Sequence, residues 1–205
     1  MSIALAGTSL AACRKLAAWA LAFLLPASAF AGPHRVVDLR NQSDASGEYE
    51  ISFCARPSPA AGGLPGHAFV AFSHLPASGA RAFTALGHTT HAGPVRALLS
   101  YGGSFSVPGV LQEEHYTAVK EACLVVKVNQ PDYERALSSS QSVLTKLGLA
   151  TGQGPVLLAY SLGAQDCMSY MMTVARGLRA PGLTVPSRGK TELPLHYLRR
   201  FIDAN

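Results

Sequence analysis

The sequence predicts an α+β domain in which helices pack on one face of a mainly antiparallel sheet. Segments with strand-like alternation come first, up to residue 128, and segments with helical spacing follow them. Of the 205 residues, 48% are hydrophobic and 14% are charged, which is sufficient for a buried core and excludes a disordered chain. The length indicates a single domain after a leader segment.

Residues 1–31 have the pattern of a secretory signal peptide. Arg14 and Lys15 precede an apolar run at 16–25, and small residues follow up to Ala31. The apolar run is shorter than the roughly 20 residues that a membrane-spanning helix needs. We therefore expect cleavage after Ala31, a mature domain at 32–205 in the periplasm or outside the cell, and no stable membrane insertion after cleavage.

Charge and motif content exclude several classes of partner. Without the leader the chain keeps 15 basic and 12 acidic residues, a net charge of +3. The basic residues are scattered rather than interleaved with aromatic residues, so we expect no nucleic-acid partner. The sequence has neither a glycine-rich phosphate loop nor a zinc-binding spacing, and we expect no cofactor and no metal.

Five strands are predicted in the first part of the chain. Alternating or β-rich segments occur at 35–39, 49–54, 66–74, 81–86 and 121–128. The segment 66–74 is the strongest and is expected to be central, with 81–86 as its hairpin partner. The glycine- and histidine-rich stretch 87–118 is expected to consist of loops and turns.

Helical spacing replaces alternation after residue 130. Apolar residues recur at helical spacing over 133–147, with Pro131 near the start and Gly148 just past the end. A second helix is predicted at 165–178 and a third at 193–202. A short apolar segment at 155–160 precedes the second helix.

Three cysteines remain in the mature chain. Cys54 and Cys123 lie on the less apolar faces of two predicted strands, so they could form a disulfide if the strands are neighbours. An oxidising compartment would then leave Cys167 as the free thiol. The alternative is that all three are small buried side chains without a bridge.

Cys167 has the position of a cysteine nucleophile. A polar turn delivers it to the first turn of the helix predicted at 165–178. Unpaired backbone N–H groups and the helix dipole favour a thiolate there, and the same groups could hold an oxyanion. The alternative is structural, since Cys167 also begins the apolar stripe of this helix.

A nucleophilic thiol needs a base, and His67 is the preferred candidate among seven histidines. It opens the strongest strand and follows Gly66. His74 falls on the opposite face of that strand, so both cannot serve one site. His88 and His91 follow the hairpin partner and could orient His67 or bind a metal.

Three short phrases carry a family resemblance. Gly66-His67-Ala68-Phe69-Val70, the segment from Tyr160 to Cys167, and Leu193-Pro194-Leu195-His196-Tyr197-Leu198 are similar to motifs of one group of enzymes. The chain resembles the circularly permuted branch of the NlpC-type, papain-like thiol hydrolases, which includes relatives of lecithin–retinol acyltransferase. In that branch the histidine strand precedes the cysteine helix, as it does here.

The resemblance implies an acyl-transfer site. His67 would be the base, Cys167 the nucleophile, and a third residue on the next strand would orient the histidine, with Thr84 and His88 as candidates. A peptidoglycan peptide amide is the first substrate class implied, and an acyl-lipid ester is the second. Asp166 stands where relatives carry an asparagine, and its charge is expected to oppose a thiolate at Cys167.

Two other functions are compatible with the sequence. The domain could be a catalytically silent secreted binding module, with His67 and Cys167 packed in its core. It could also be a serine esterase, because the turn at Ser161 resembles a nucleophile elbow with Ala159 in place of the first glycine. His196 is the only histidine downstream of that serine.

Overall fold

The computed structural model describes residues 34–58, 63–114, 122–146 and 158–205. The predicted signal peptide therefore lies outside the described residues, and so does Gly148, the predicted end of a helix. Within the described part of the chain, no helix combines the length and the apolar character needed to cross a bilayer.

The described residues form seven strands and four helices, so the fold is α+β. The strands are β1 His34–Asp38, β2 Gly47–Arg56, β3 His67–Pro76, β4 Ala82–Thr90, β5 Val107–Glu113, β6 Ala122–Val128 and β7 Leu158–Tyr160. The helices are α1 Pro94–Leu99, α2 Gln130–Lys146, α3 Cys167–Arg176 and α4 Pro194–Asp203.

All seven strands belong to one mixed sheet, in the order β1-β6-β2-β3-β4-β5-β7. The pairing of β1 with β6 is parallel, and the other neighbouring strands pair antiparallel. The ladder between β3 and β4 begins where Val70 lies opposite Leu86. The first residues of β3 therefore lie beyond this ladder, at one end of the sheet.

One face of the sheet carries the main core. Ile51 and Phe53 of β2 and Val70 of β3 are fully buried on this face, because alternate residues of a strand point to the same side. Helices α3 and α4 cover them with Met171 and Phe201, which are also fully buried. The rings of Phe53 and Phe201 are 5.4 Å apart between centroids.

The opposite face carries the predicted disulfide. Cys54 of β2 lies directly across from Cys123 of β6, and their sulfur atoms are bonded at 2.03 Å. Phe69, Ala71 and Ala85 pack with the bridge in a smaller buried cluster. The predicted pairing is confirmed. The third cysteine, Cys167, is free, as predicted, and it is buried.

The structure differs from the sequence prediction mainly between residues 87 and 114. Strand β4 continues to Thr90 rather than ending at 86, because Leu86 to Thr90 pair with β5. Strand β5 and helix α1 were not predicted at all, since glycine, proline and histidine residues interrupt any apolar period there. Backbone pairing with a neighbour, rather than local preference, maintains these strands.

Candidate functional site

Asp166 fixes the start of helix α3 and thereby the position of Cys167. Its carboxylate accepts hydrogen bonds from the backbone N–H groups of Met168 (3.1 Å) and Ser169 (3.2 Å). The Ser169 hydroxyl accepts one from the Asp166 N–H at 2.6 Å, which completes a capping box. Cys167 is therefore the first helical residue, as its predicted role as a nucleophile requires.

The thiol of Cys167 is enclosed, with 2% of the residue exposed. Burial, followed by the charge of Asp166, raises the pKa of this thiol to about 12. The backbone N–H groups of Ala68 and Met168 and the charge of Arg188 act in the opposite direction. The resting protein therefore holds a protonated thiol, and the expected opposition from Asp166 is present.

Arg188 compensates the charge of Asp166. Its guanidinium makes a two-pronged ion pair with the carboxylate, with Nη1–Oδ1 at 2.8 Å and Nη2–Oδ2 at 2.9 Å. Asp166 is only 1% exposed and also accepts a hydrogen bond from the Gly163 N–H. The ion pair with Arg188 links the 184–192 segment to the start of α3.

His67 is the first residue of β3, and it contacts an acid that the sequence analysis did not identify. His67 Nε2 lies 3.0 Å from Glu114 Oε2. The Arg56 guanidinium holds the same carboxylate, at 3.1 Å and 3.3 Å from its two oxygens. The side chains of Arg56 and Glu114 are 8% and 6% exposed, so this is an enclosed charged cluster.

Gly87 of β4 makes room for the His67 ring. A Cβ atom at Gly87 would come within 2.5 Å of His67 Nε2 and 3.5 Å of Glu114 Oε2. The absence of a side chain on β4 at this point lets the imidazole reach across the sheet toward the end of β5. The ring is therefore confined between Gly87 and the Glu114 carboxylate.

Of the two predicted orienting residues, neither has the position that Glu114 has. Thr84 is exposed on β4. His88 is 4% exposed, interacts with the backbone of Asp166, and has its ring 5.4 Å from that of Tyr160. Burial lowers the pKa of His88, so its imidazole is neutral near pH 7. Its interaction with the backbone of Asp166 places this ring next to the start of α3.

The thiol and the predicted base lie on opposite sides of β3. The Cys167 sulfur interacts with the N–H of Ala68, the residue directly after His67. Ala68 faces the helices, whereas the His67 ring lies over Gly87 on the other side of the strand. Among the described residues, no hydrogen bond joins the Cys167 sulfur to the His67 ring.

A cavity of about 800 Å³ opens beside His67. Arg56 and Glu114 form its charged end together with His67, and Tyr160 lies in its wall. The remaining wall includes apolar side chains that are also open to solvent: Leu64 at 58% exposure, Val95 at 68% and Leu98 at 64%. The cavity therefore joins a charged end to an apolar mouth.

The hydroxyl of Ser161, the nucleophile of the alternative serine-esterase mechanism, makes a hydrogen bond to a neighbouring loop. Its hydroxyl donates to the backbone carbonyl of Ser100 at 2.8 Å, and the residue is 5% exposed. His196, the histidine that this mechanism would need, is exposed on α4. This arrangement supports a structural role for the Ser161 hydroxyl.

Within the described ranges, no group of three or more His, Cys, Asp or Glu side chains could hold a metal ion. The site therefore consists of an acid–imidazole pair at a cavity and a buried thiol at a helix start. No protein-family model, curated protein or solved structure matches this chain.

Proposed function

We propose that the protein is an exported thiol hydrolase of permuted papain-like type. Cys167 is the nucleophile, His67 the base and Glu114 the residue that orients the base; the bond broken is an amide or an ester. The observation that carries this proposal is the 3.0 Å contact of His67 with Glu114 at a strand position whose next residue, Ala68, interacts with the Cys167 sulfur.

The reaction has two stages, acylation and deacylation of Cys167, and His67 accepts and returns a proton in each. Because the His67 ring lies on the other side of β3 from the sulfur, a water molecule at the start of the strand relays the proton of Cys167 to His67 as the sulfur attacks the carbonyl carbon. The carbonyl electron pair moves to oxygen. Backbone N–H groups at the start of α3 stabilise the oxyanion. The intermediate collapses to a thioester as the amine or alcohol leaves with the proton from His67. Water, deprotonated by His67, then hydrolyses the thioester and regenerates the thiol.

The raised pKa of Cys167 makes the base essential. Because the thiol is protonated at rest, its proton must pass to His67 during attack rather than to solvent beforehand. The Glu114 carboxylate lies within ion-pair distance of the His67 ring and fixes the position of that ring. Arg56 holds the Glu114 carboxylate in place.

We expect iodoacetamide to alkylate Cys167 in the folded mature protein, with a rate that depends on His67. At pH 7 the His67→Ala variant should react at least about 100-fold more slowly, because general-base assistance is lost. Mass spectrometry of the digested protein measures alkylation at Cys167. The Cys167→Ala variant provides the background.

The opposite result identifies the binding-module alternative. If Cys167 reacts only after unfolding, the thiol is structural and the proposed reaction does not occur. The cavity beside His67 would then bind a ligand without converting it. Calorimetric titration of the Cys167→Ala variant with candidate ligands would measure that binding directly.

The cavity mouth favours a second candidate substrate. The resemblance implies a peptidoglycan peptide amide, whereas the exposed apolar residues Leu64, Val95 and Leu98 favour the acyl chain of a lipid ester. Each such side chain is worth about 1.5–3 kcal/mol when a ligand removes it fully from water. Exposed apolar residues concentrated at a cavity mouth commonly mark ligand or partner contacts.

Val95→Ser and Leu98→Ser should distinguish the two substrate classes. If the substrate carries an acyl chain, these variants should raise KM for a long-chain chromogenic ester by about tenfold or more each. Leu99→Ser is the matched control, because Leu99 is 62% exposed on the same helix but does not line the cavity. Equal effects at all three positions, or turnover only of peptide amides, would contradict the acyl-lipid candidate.

Export is part of this proposal. The disulfide between Cys54 and Cys123 supports it, because such bridges persist in oxidising compartments. The signal-peptide pattern at 1–31 predicts secretion followed by cleavage after Ala31. N-terminal sequencing of the protein recovered from the periplasm or medium should begin at Gly32.

A further inference from the structure

The segment 184–192 brings a cation to the start of helix α3. Arg188 approaches Asp166 with two nitrogen–oxygen distances of 2.8 Å and 2.9 Å, and its side chain is 14% exposed. The segment is itself fixed to α4, because Arg200 donates to the Ser187 carbonyl and Tyr197 to the Pro186 carbonyl. Contacts with helix α4 therefore hold the segment that carries Arg188 in place.

We propose that Arg188 is a positioning residue for the nucleophile: it neutralises and orients the Asp166 carboxylate, so that Cys167 can carry negative charge during attack. This inference rests on the proposed function. Asp166 precedes Cys167 in the chain, and the charge of its buried carboxylate opposes ionisation of the sulfur that must become anionic. The two-pronged ion pair retains the helix cap that Asp166 provides while removing most of its repulsion toward the sulfur.

The other ionisable groups around Cys167 do not replace Arg188. Burial raises the pKa of the Tyr160 hydroxyl and lowers that of His88, so both are neutral near pH 8. His67 is the base of the reaction and is paired with Glu114 on the far side of β3. Arg188 is thus the permanent cation that acts on Cys167 in the described part of the chain.

Four variants test whether Arg188 acts on Cys167 by neutralising the Asp166 carboxylate. Arg188→Met should lower the alkylation rate of Cys167 at pH 8 about tenfold, because the rate falls tenfold for each unit by which the thiol pKa rises. Arg188→Lys should lower it less, since it keeps the charge but loses the two-pronged geometry. Asp166→Asn keeps a good helix cap without the charge. In that background, Arg188→Met should lower the rate clearly less than tenfold, because only the direct effect of the Arg188 charge on the thiol is then lost.

Two further measurements separate this role from mere folding. Circular dichroism and thermal unfolding identify variants that are not folded. The absorbance of the thiolate at 240 nm, taken as the difference from Cys167→Ala in the same background, follows ionisation without requiring access by a reagent. A single Arg188→Met substitution that leaves the pH profile unchanged in a folded protein would overturn the inference.

The outcomes also distinguish this inference from the proposed function. A folded wild-type protein whose Cys167 is never alkylated contradicts the hydrolase, whatever Arg188 does to the thiolate absorbance. An alkylated wild-type protein with the same profile in Arg188→Met and in Asp166→Asn/Arg188→Met contradicts only the role of Arg188. If Asp166→Asn/Arg188→Met is alkylated faster than Arg188→Met, the result supports both the proposed hydrolase and the role of Arg188.

Discussion

Replacing Gly87 with alanine should lower the rate of Cys167 alkylation or of substrate hydrolysis by about 100-fold while the protein stays folded. The new Cβ would lie 2.5 Å from His67 Nε2, a distance that requires the ring to move. A displacement of about 1 Å in a positioned catalytic group can cost this much. Steady-state rates and thermal unfolding, compared with the wild-type protein, measure the two effects separately.

The matched control is the same substitution where His67 is absent. In a His67→Ala background, Gly87→Ala should have little further effect, because the ring that it displaces is gone. Gly189→Ala serves as a second control, since its Cβ would meet Glu192 only at an ordinary contact distance of 3.4 Å. A full additional loss in the His67→Ala background would contradict the role of Gly87.

Removing the disulfide should have the largest effect on stability. Cys54 and Cys123 are 69 residues apart, and a bridge that closes a loop of this length stabilises by about 4 kcal/mol in the chain-entropy treatment. The Cys54→Ala/Cys123→Ala variant should therefore unfold about 10 °C below the wild-type protein. Thermal unfolding followed by circular dichroism measures this difference.

Reduction provides the control for the disulfide. Dithiothreitol should lower the unfolding temperature of the wild-type protein and of Cys167→Ala, and it should leave Cys54→Ala/Cys123→Ala unchanged. The same unfolding temperature in the oxidised and reduced wild-type protein would show that the bridge contributes no stability.

The fold could be predicted where one segment contains its own pattern. Strands β2, β3 and β6 alternate because one face of each meets the helices, and α4 has a proline in its first turn. Strand β5 has no such signal, because Pro108 and Gly109 interrupt it and its partners are β4 and β7. Its existence depends on strands that are distant in the sequence, which a local pattern does not contain.

The residues of the candidate site were likewise predictable only where the local sequence contains the signal. The position of Cys167 at a helix start follows from the polar residues before it, and His67 from its place at the start of a strand. Glu114 was missed because Glu113-Glu114 is typical of an exposed turn, whereas Arg56 and His67 bury it from two other strands. Similarly, the charge of Asp166 was visible in the sequence, but its partner Arg188 lies 22 residues later.

The sheet keeps the two kinds of sulfur chemistry apart. A thiolate attacks a disulfide by direct approach of one sulfur to another, so a reactive cysteine in a small oxidised domain endangers that domain's own bridge. Here Cys167 packs with the helices, whereas Cys54 and Cys123 pack on the other side of the strands. Internal scrambling would require the strands to separate first, so the folded domain can keep a nucleophilic thiol and a structural bridge on opposite faces of one sheet.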